Sequence, residues 1–342
     1  MKILALGSPA NGVSYHRVIM PLIYLIQDKP NDYLLITNEI DDNVLERGWD
    51  IVVLNRSVAF DPQKFYDWKV KYNFKLIVDN DDYWHLDPHH ILFDWYESKG
   101  IPKLIKDYMA IADLVTVTHE RLREKALEFN SNVHILPNAL PYGDGQFNER
   151  KSESNRVRLF WSGSDTHYHD LNLLRRPMQR VYSDALLRNN IKTVMAGYSE
   201  AAKPVWDCMA SAFTHALKFP STIYQFTDPD KYMSAYYDSD ISIIPLTSTK
   251  FNAFKSNLKV LETACKRNPA IVSQVDPYLD LPVSYVKNQT DWYRHIKDLV
   301  NDQDMRKEKG EELYTYCNKH HNLSEINKKR YDIYSSVCGN IS

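Results

Sequence analysis

Two successive series of apolar strands, each alternating with amphipathic helices, predict an α/β protein of two doubly wound parallel-sheet domains facing a cleft. Three observations carry that prediction. Strands separated by helices need crossover connections, which make neighbouring strands parallel. A polar stretch around residues 137–156 interrupts the alternation once, near the middle. At 342 residues and 44% hydrophobic, the chain is long enough to bury two cores.

In chain order, Lys2–Gly7 is a buried-strand run, followed by a Pro/Gly/Ser turn and an apolar-periodic helix from about Tyr15 to Gln27. Further strands are expected at Tyr33–Thr37, Asp50–Leu54, Lys75–Asp79, Leu114–Thr118 and Val133–Leu136, with helices near 61–72, 101–112 and 119–129 between them. From Pro137 to about Arg156 the chain is rich in Asn, Gly, Ser and charge and reads as a linker. A second series begins at Val157–Trp161 and continues through Lys192–Ala196, Thr222–Gln225, Ile241–Pro245, Ala270–Ser273 and Ser284–Val286. The tail from Asp302 to Val337 is charged and helical. Each half is thus Rossmann-like, with ligands expected at the carboxyl ends of the strands and in the cleft between domains.

Composition excludes several classes. A net charge of −2 gives no global basic field to draw the chain to nucleic acid or anionic lipid. Four cysteines lie far apart with no CxxC pair, which argues against a zinc site or a disulfide framework and for a reducing compartment. No apolar run approaches the roughly 20 residues of a spanning helix, and the start lacks an apolar core with a cleavage site. A soluble, cytoplasmic protein without a transmembrane segment is expected. The 23 tyrosines, many Asn, Asp and Lys, and only ten glycines fit an AT-rich genome such as a phage's, which would place the protein in the host cytoplasm. GxGxxG is absent, so an NAD enzyme is disfavoured.

The most informative stretch runs from Phe251 to Ser273. It reads as a loop with two lysines and a serine, an amphipathic helix bearing one acid, then Pro269 and a short apolar strand. A helix start offers free backbone N–H groups and the positive end of the macrodipole, here beside Ser256, Lys255 and Lys259. Lys255 and Lys259 are four apart and are expected to share a face. Glu262, one turn beyond Lys259, could accept two hydrogen bonds from the vicinal hydroxyls of a ribose. Diphosphate plus ribose is the footprint of a nucleotide sugar. A helix whose Lys-Lys-Glu face is merely solvated is the plain alternative.

At these residues the chain resembles the C-terminal donor domain of GT-B glycosyltransferases, particularly the retaining nucleotide-sugar-dependent group (glycosyl transferases group 1). That group commonly carries glutamates at the places of residues 254 and 262, the second gripping the donor ribose and the first lying near the transferred sugar. Glu262 matches the second; Phe254 departs at the first, so no role is carried over for a carboxylate there. The run from Gly12 to Arg17 stands where the family places a glycine-bearing loop near donor phosphates and acceptor. Gly12 would let the backbone come close, while His16 and Arg17 could present positive charge; a simple strand-to-helix turn is the alternative. Asp113 to Glu120, running on to Leu136-Pro137-Asn138-Ala139, looks like the passage that ends the N-terminal domain. Arg158 to Asp165 resembles the first strand and phosphate-facing loop of the donor domain, with Gly163 and Ser164 as backbone and hydroxyl donors. The family often has Arg and Lys soon after; here Thr166-His167-Tyr168-His169-Asp170 stands instead, which shifts charge compensation onto Lys255, Lys259 and Arg17. Tyr224-Gln225-Phe226 matches the strand end that flanks the nucleobase, Phe226 packing on its face or, equally, in the core.

The acidic cluster Asp79-Asn80-Asp81-Asp82 ends the fourth strand. Two acids separated by one residue can bind a divalent cation, the DxD hallmark of the other main glycosyltransferase fold, GT-A. The preferred reading keeps Asp79 and Asp81 at the cleft, contacting sugar hydroxyls or the acceptor. His85, His89 and His90 lie close by and suit an acceptor or surface role.

The expected organisation is an acceptor domain over 1–140, a linker over 141–156, a donor domain over 157–320 and, by resemblance, a C-terminal helix over 321–342 crossing back to the first domain. Catalytic roles are expected for Asp79, Asp81, His16 and Lys255, and donor binding for Gly12, Arg17, Gly163, Ser164, Phe226, Lys255, Ser256, Lys259 and Glu262. The implied activity is hexosyl or pentosyl transfer from a nucleotide-diphosphate sugar to an acceptor hydroxyl, with retention of anomeric configuration. No cofactor is required and no metal ligand is assigned. The acceptor is a glycan, a small molecule or a modified base in phage DNA; the last would use basic strips at Arg121, Arg123 and Lys125 or at Arg175, Arg176 and Arg180. A nucleotide-sugar epimerase and a non-catalytic nucleotide-sugar-binding protein of the same fold stay open.

Overall fold

The computed structural model describes residues 1–339 and resolves them into two compact units, each built on one six-stranded, all-parallel sheet. The first unit comprises Met1–Ala139, Phe254–Ser256 and the C-terminal helix Leu323–Cys338. The second comprises Leu140–Ala253 and Asn257–Asn322.

In the first unit, β1 (Lys2–Leu6), β2 (Tyr33–Thr37), β3 (Ile51–Asn55), β4 (Lys75–Asn80), β5 (Leu114–Val117) and β6 (Val133–Ile135) are ordered β2-β1-β3-β4-β5-β6. Successive side chains of a strand point to opposite faces, and both faces are covered, which is why these strands read as near-continuous apolar runs. Leu4, Val52, Leu54, Leu76 and Val78 pack with Phe65, Trp68, Tyr108 and Met109 of the helices Pro62–Tyr72 and Ile101–Ile111. Ile3, Ala5, Ile51, Val53 and Ile77 pack on the other face with Leu22 and Leu25 of the helix Met20–Gln27 and with Ile333, Tyr334 and Val337 of the C-terminal helix. The C-terminal helix is tied down further by Asn327, whose side-chain amide donates to the Pro21 carbonyl at 2.8 Å.

In the second unit, β7 (Val157–Ser162), β8 (Ile191–Tyr198), β9 (Ser221–Gln225), β10 (Ile241–Ile244), β11 (Ala270–Ser273) and β12 (Ser284–Val286) are ordered β12-β11-β10-β7-β8-β9. This is a doubly wound order whose direction reverses between β7 and β10, and such a reversal opens a crevice outside the carboxyl ends of those two strands. Leu159, Trp161, Met195, Ile241, Ile243 and Ile271 meet helices on one face through Leu171, Met178, Trp206, Phe213 and Ile296. The helix Leu258–Cys265 is anchored to β10 by Thr263, whose hydroxyl donates to Ser242 Oγ at 2.8 Å. Residues 140–156 are bonded into this unit: Gln146 donates to the Pro229 carbonyl, and Arg158 donates to the Ser152 carbonyl and hydroxyl. No helix among the described residues is long and apolar enough to cross a membrane.

Candidate functional site

The reversal between β7 and β10 collects polar groups from three segments of the second unit. After β7 the chain turns through Gly163 and Ser164 into a single turn, Asp165–His167, and a short helix, Tyr168–Asn172. Gly163 is required here. A Cβ on it would stand 2.8 Å from the Trp161 ring and 3.1 Å from the His167 ring. A Cβ on Gly197, which has φ +107°, would stand 2.1 Å from the Gly163 carbonyl oxygen, so the two backbones pass at a distance that only a glycine at 197 allows.

From the helix Leu258–Cys265, Lys259 reaches this turn. Its Nζ lies 2.9 Å from His167 Nε2 and sits over the Trp161 ring at 5.5 Å. His167 Nδ1 lies 2.7 Å from Asp170 Oδ2, and the other Asp170 oxygen accepts from both the backbone N–H and the hydroxyl of Thr247, each at 2.7 Å. Asn252 secures Thr247 by donating to its carbonyl and hydroxyl oxygens at 2.9 Å. Burial alone would raise the Asp170 carboxyl, but the bonds from His167 and Thr247 prevail and hold it below the ordinary carboxylate range. Ser164 is exposed and its hydroxyl shares a 2.7 Å hydrogen bond with Thr166.

Glu262 lies one turn beyond Lys259 and is 5% exposed. Its two oxygens accept from the hydroxyls of Tyr232 at 2.7 Å and Tyr236 at 2.5 Å, and Tyr236 also meets Ser162 Oγ at 2.7 Å. Burial pushes the carboxyl above its ordinary range against the opposing pull of the tyrosines and Lys259. Phe226, just past β9, is 62% exposed, so the alternative of a core residue is excluded.

Lys255 and Ser256 precede the helix, whose N-cap is Asn257. The expected four-residue helical spacing between Lys255 and Lys259 therefore does not operate, because Lys255 lies outside the helix. Phe254 is 5% exposed in the first unit, with its ring stacked on Tyr83 at 4.5 Å and its carbonyl 3.0 Å from His119 Nε2.

Four residues expected to act on substrate meet instead in the interior of the first unit. The helix after β1 starts at Gly12 and passes through a π turn, Tyr15–Ile19, that turns His16 and Arg17 inward. Arg17, 3% exposed, donates from Nε and Nη2 to the two oxygens of Asp79 at 3.0 and 2.7 Å, from Nη1 to Asn138 at 2.9 Å and from Nη2 to the Leu136 carbonyl at 2.9 Å. Asp79 also accepts from Thr116 at 2.7 Å and from Asn55 at 3.2 Å. Asp81 accepts from Arg56 at 2.8 and 3.1 Å; burial would raise its carboxyl, yet Arg56 holds it below the ordinary range. Burial beside Arg17 lowers His16 to about 3, so its imidazole is neutral. The expected positive charge at His16 and Arg17 is thus not presented to a ligand: one group is uncharged and the other is consumed by Asp79. Gly12 is exposed, with no protein atom within 4 Å of an added Cβ.

No protein-family model matches the chain, and no curated protein matches it in sequence. Solved structures do match in shape. Sucrose-phosphate synthase from Thermosynechococcus elongatus superimposes with a TM-score of 0.70 at 10% identity, over 99% of this chain and 100% of the other. Anabaena HepE in complex with UDP and glucose gives 0.67 at 10% identity, over 98% and 100%. An Escherichia coli trehalose-6-phosphate protein bound with UDP-2-fluoro glucose gives 0.64 at 11% identity, over 98% and 99%. The chain has the GT-B fold. Within that fold the sequence brought Gly163, Lys259 and Glu262 to one end of the second sheet but missed His167, Asp170, Thr247, Tyr232 and Tyr236. His167 and Asp170 stand in the stretch noted only for lacking Arg and Lys.

Proposed function

We propose that this chain is a glycosyltransferase that holds a nucleotide-diphosphate sugar in its second unit and transfers the sugar to an acceptor hydroxyl with retention of configuration. The observation that carries the reading is the convergence, at the reversal of a GT-B donor-type sheet, of the Gly163 turn, the Lys259 ammonium and the Glu262 carboxylate. The Ser164 hydroxyl would meet the diphosphate, with Lys259 supplying its countercharge, whereas the Gly163 N–H expected to donate there is spent on the Ala196 carbonyl at 3.1 Å. Each Glu262 oxygen accepts one tyrosine hydroxyl and keeps a second lone-pair site for a ribose hydroxyl. Exposed Phe226 would stack on the base.

In the transfer, the bond between the anomeric carbon and the bridging phosphate oxygen breaks and its electron pair leaves with the diphosphate. The acceptor oxygen bonds to that carbon from the same face, and its proton passes to a departing phosphate oxygen. Lys259 accelerates the step by stabilising charge that develops only as the leaving group departs. Phe254 provides no carboxylate for a covalent intermediate.

The bound UDP, glucose and UDP-2-fluoro glucose of the fold's relatives make UDP-hexoses the first donors to assay. A glycan or small-molecule acceptor is favoured over DNA because the chain carries no net positive charge and, in the first of the two basic strips, Arg123 pairs with Glu120 and Lys125 with Glu128. The test is incubation with a panel of nucleotide sugars while nucleotide release is followed with and without acceptors. Acceptor-stimulated release supports transfer; interconversion of the sugar without release would establish an epimerase instead.

A further inference from the structure

The chain Lys259–His167–Asp170–Thr247 is more ordered than a lysine needs merely to be present. An ammonium can only donate and a carboxylate can only accept, so the two bonds fix the histidine between them. Its Nε2 accepts from Lys259 at 2.9 Å and its Nδ1–H donates to Asp170 at 2.7 Å, which makes the imidazole neutral and selects one tautomer. Asp170 cannot rotate to release that tautomer, because its other oxygen receives two bonds from Thr247. The Gly163 turn lies directly against the same ring, since a Cβ there would come within 3.1 Å of it.

The geometry points to His167 as a positioning residue that, oriented by Asp170, aims Lys259 at the diphosphate of a nucleotide ligand. This rests on the nucleotide-sugar reading above and adds the two residues that place the Lys259 ammonium. The logic is that of an orienting second partner behind a ligand-contacting group: it limits the conformations of a flexible side chain, so less entropy is lost when the anion binds. Protonation of His167, or inversion of its tautomer, would put an N–H donor opposite the ammonium and push Lys259 out of place.

The prediction separates phosphate recognition from nucleoside recognition. In calorimetric titrations of the full chain with UDP and with uridine, His167→Ala should weaken UDP about tenfold, as for loss of one charge-assisted contact, and leave uridine within about twofold. His167→Gln, which keeps an acceptor for Lys259, should recover much of the UDP affinity. Asp170→Asn replaces an acceptor-only carboxylate with an amide that can favour the opposite tautomer, so it should weaken UDP as His167→Ala does while uridine binding is retained. Equal losses for UDP and uridine in a folded His167→Ala protein would overturn the inference by showing a purely structural role. Unchanged UDP affinity would overturn it as well, while leaving the nucleotide-sugar reading standing. Failure of the wild-type protein to bind UDP or any other nucleoside diphosphate would remove both.

Discussion

Replacing Arg17 by Met distinguishes an interior ion pair from a ligand-binding cation. Arg17 and Asp79 have side chains 2% and 3% exposed, and the guanidinium makes four hydrogen bonds, two of them to Asp79. Methionine fills much of the volume but leaves the Asp79 carboxylate with only Thr116 and Asn55 among the partners described above. Breaking a buried pair from one side typically costs about 3 to 5 kcal/mol. For a unit of this size that corresponds to a drop of roughly 6 to 20 °C in Tm, at about 2–4 °C per kcal/mol. Urea unfolding followed by tryptophan fluorescence, with thermal scans alongside, measures it. Arg17→Met combined with Asp79→Leu should recover a large part of the loss, because an apolar pair needs no compensation for desolvated charge. A single Arg17→Met variant within about 1 kcal/mol of wild type that nevertheless loses nucleotide binding would refute the interior assignment and return Arg17 to the donor site.

His16 makes a pH prediction. Its folded value of about 3 lies below the ordinary 6.5, so as pH falls below 6.5 the unfolded chain takes up a proton that the folded chain does not, and stability declines. Between pH 6.5 and pH 5 this amounts to about 1.6 kcal/mol, and a His16→Leu variant should show a correspondingly flatter urea-midpoint profile; parallel profiles would count against it. Gly197→Ala should destabilise the second unit by at least about 1 to 3 kcal/mol, from the left-handed φ and the collision with the Gly163 carbonyl, and an unchanged Tm would contradict the close approach. Glu262→Gln should weaken binding of a nucleotide sugar by about 1.5–3 kcal/mol in calorimetry, and a folded variant with wild-type affinity would take Glu262 out of the site.

The architecture was legible because parallel strands buried on both faces leave continuous apolar runs: β2, β11 and β12 have the bounds read from the sequence, and the other nine differ by only one or two residues at their ends. The short helices Asp42–Leu45 and Phe93–Ser98 were not legible, being too brief for a helical period to emerge. In the candidate site, the placement of Gly163 and Lys259 was legible because it follows from local chain geometry. It was illegible where partners are remote. Arg17 and Asp79 are 62 residues apart, and Lys259 and His167 are 92 apart. A sequence displays an exposed cation and a neutralised one identically, which is why Arg17, Asp79 and Asp81 read as site residues. The π turn that drives His16 and Arg17 inward left no mark in the apolar periodicity either.

Lys259, beside the Gly163 turn, is the proposed cationic grip for a nucleotide diphosphate. It is tested most directly by titrating wild-type and Lys259→Ala proteins with UDP and UDP-glucose, extending to other nucleotide sugars, in a calorimeter. The wild-type chain should bind a nucleotide diphosphate saturably, and Lys259→Ala should lose about tenfold or more in affinity with the fold intact. Binding of equal strength in the two proteins, or no binding of any nucleotide diphosphate to a folded wild-type chain, would contradict it.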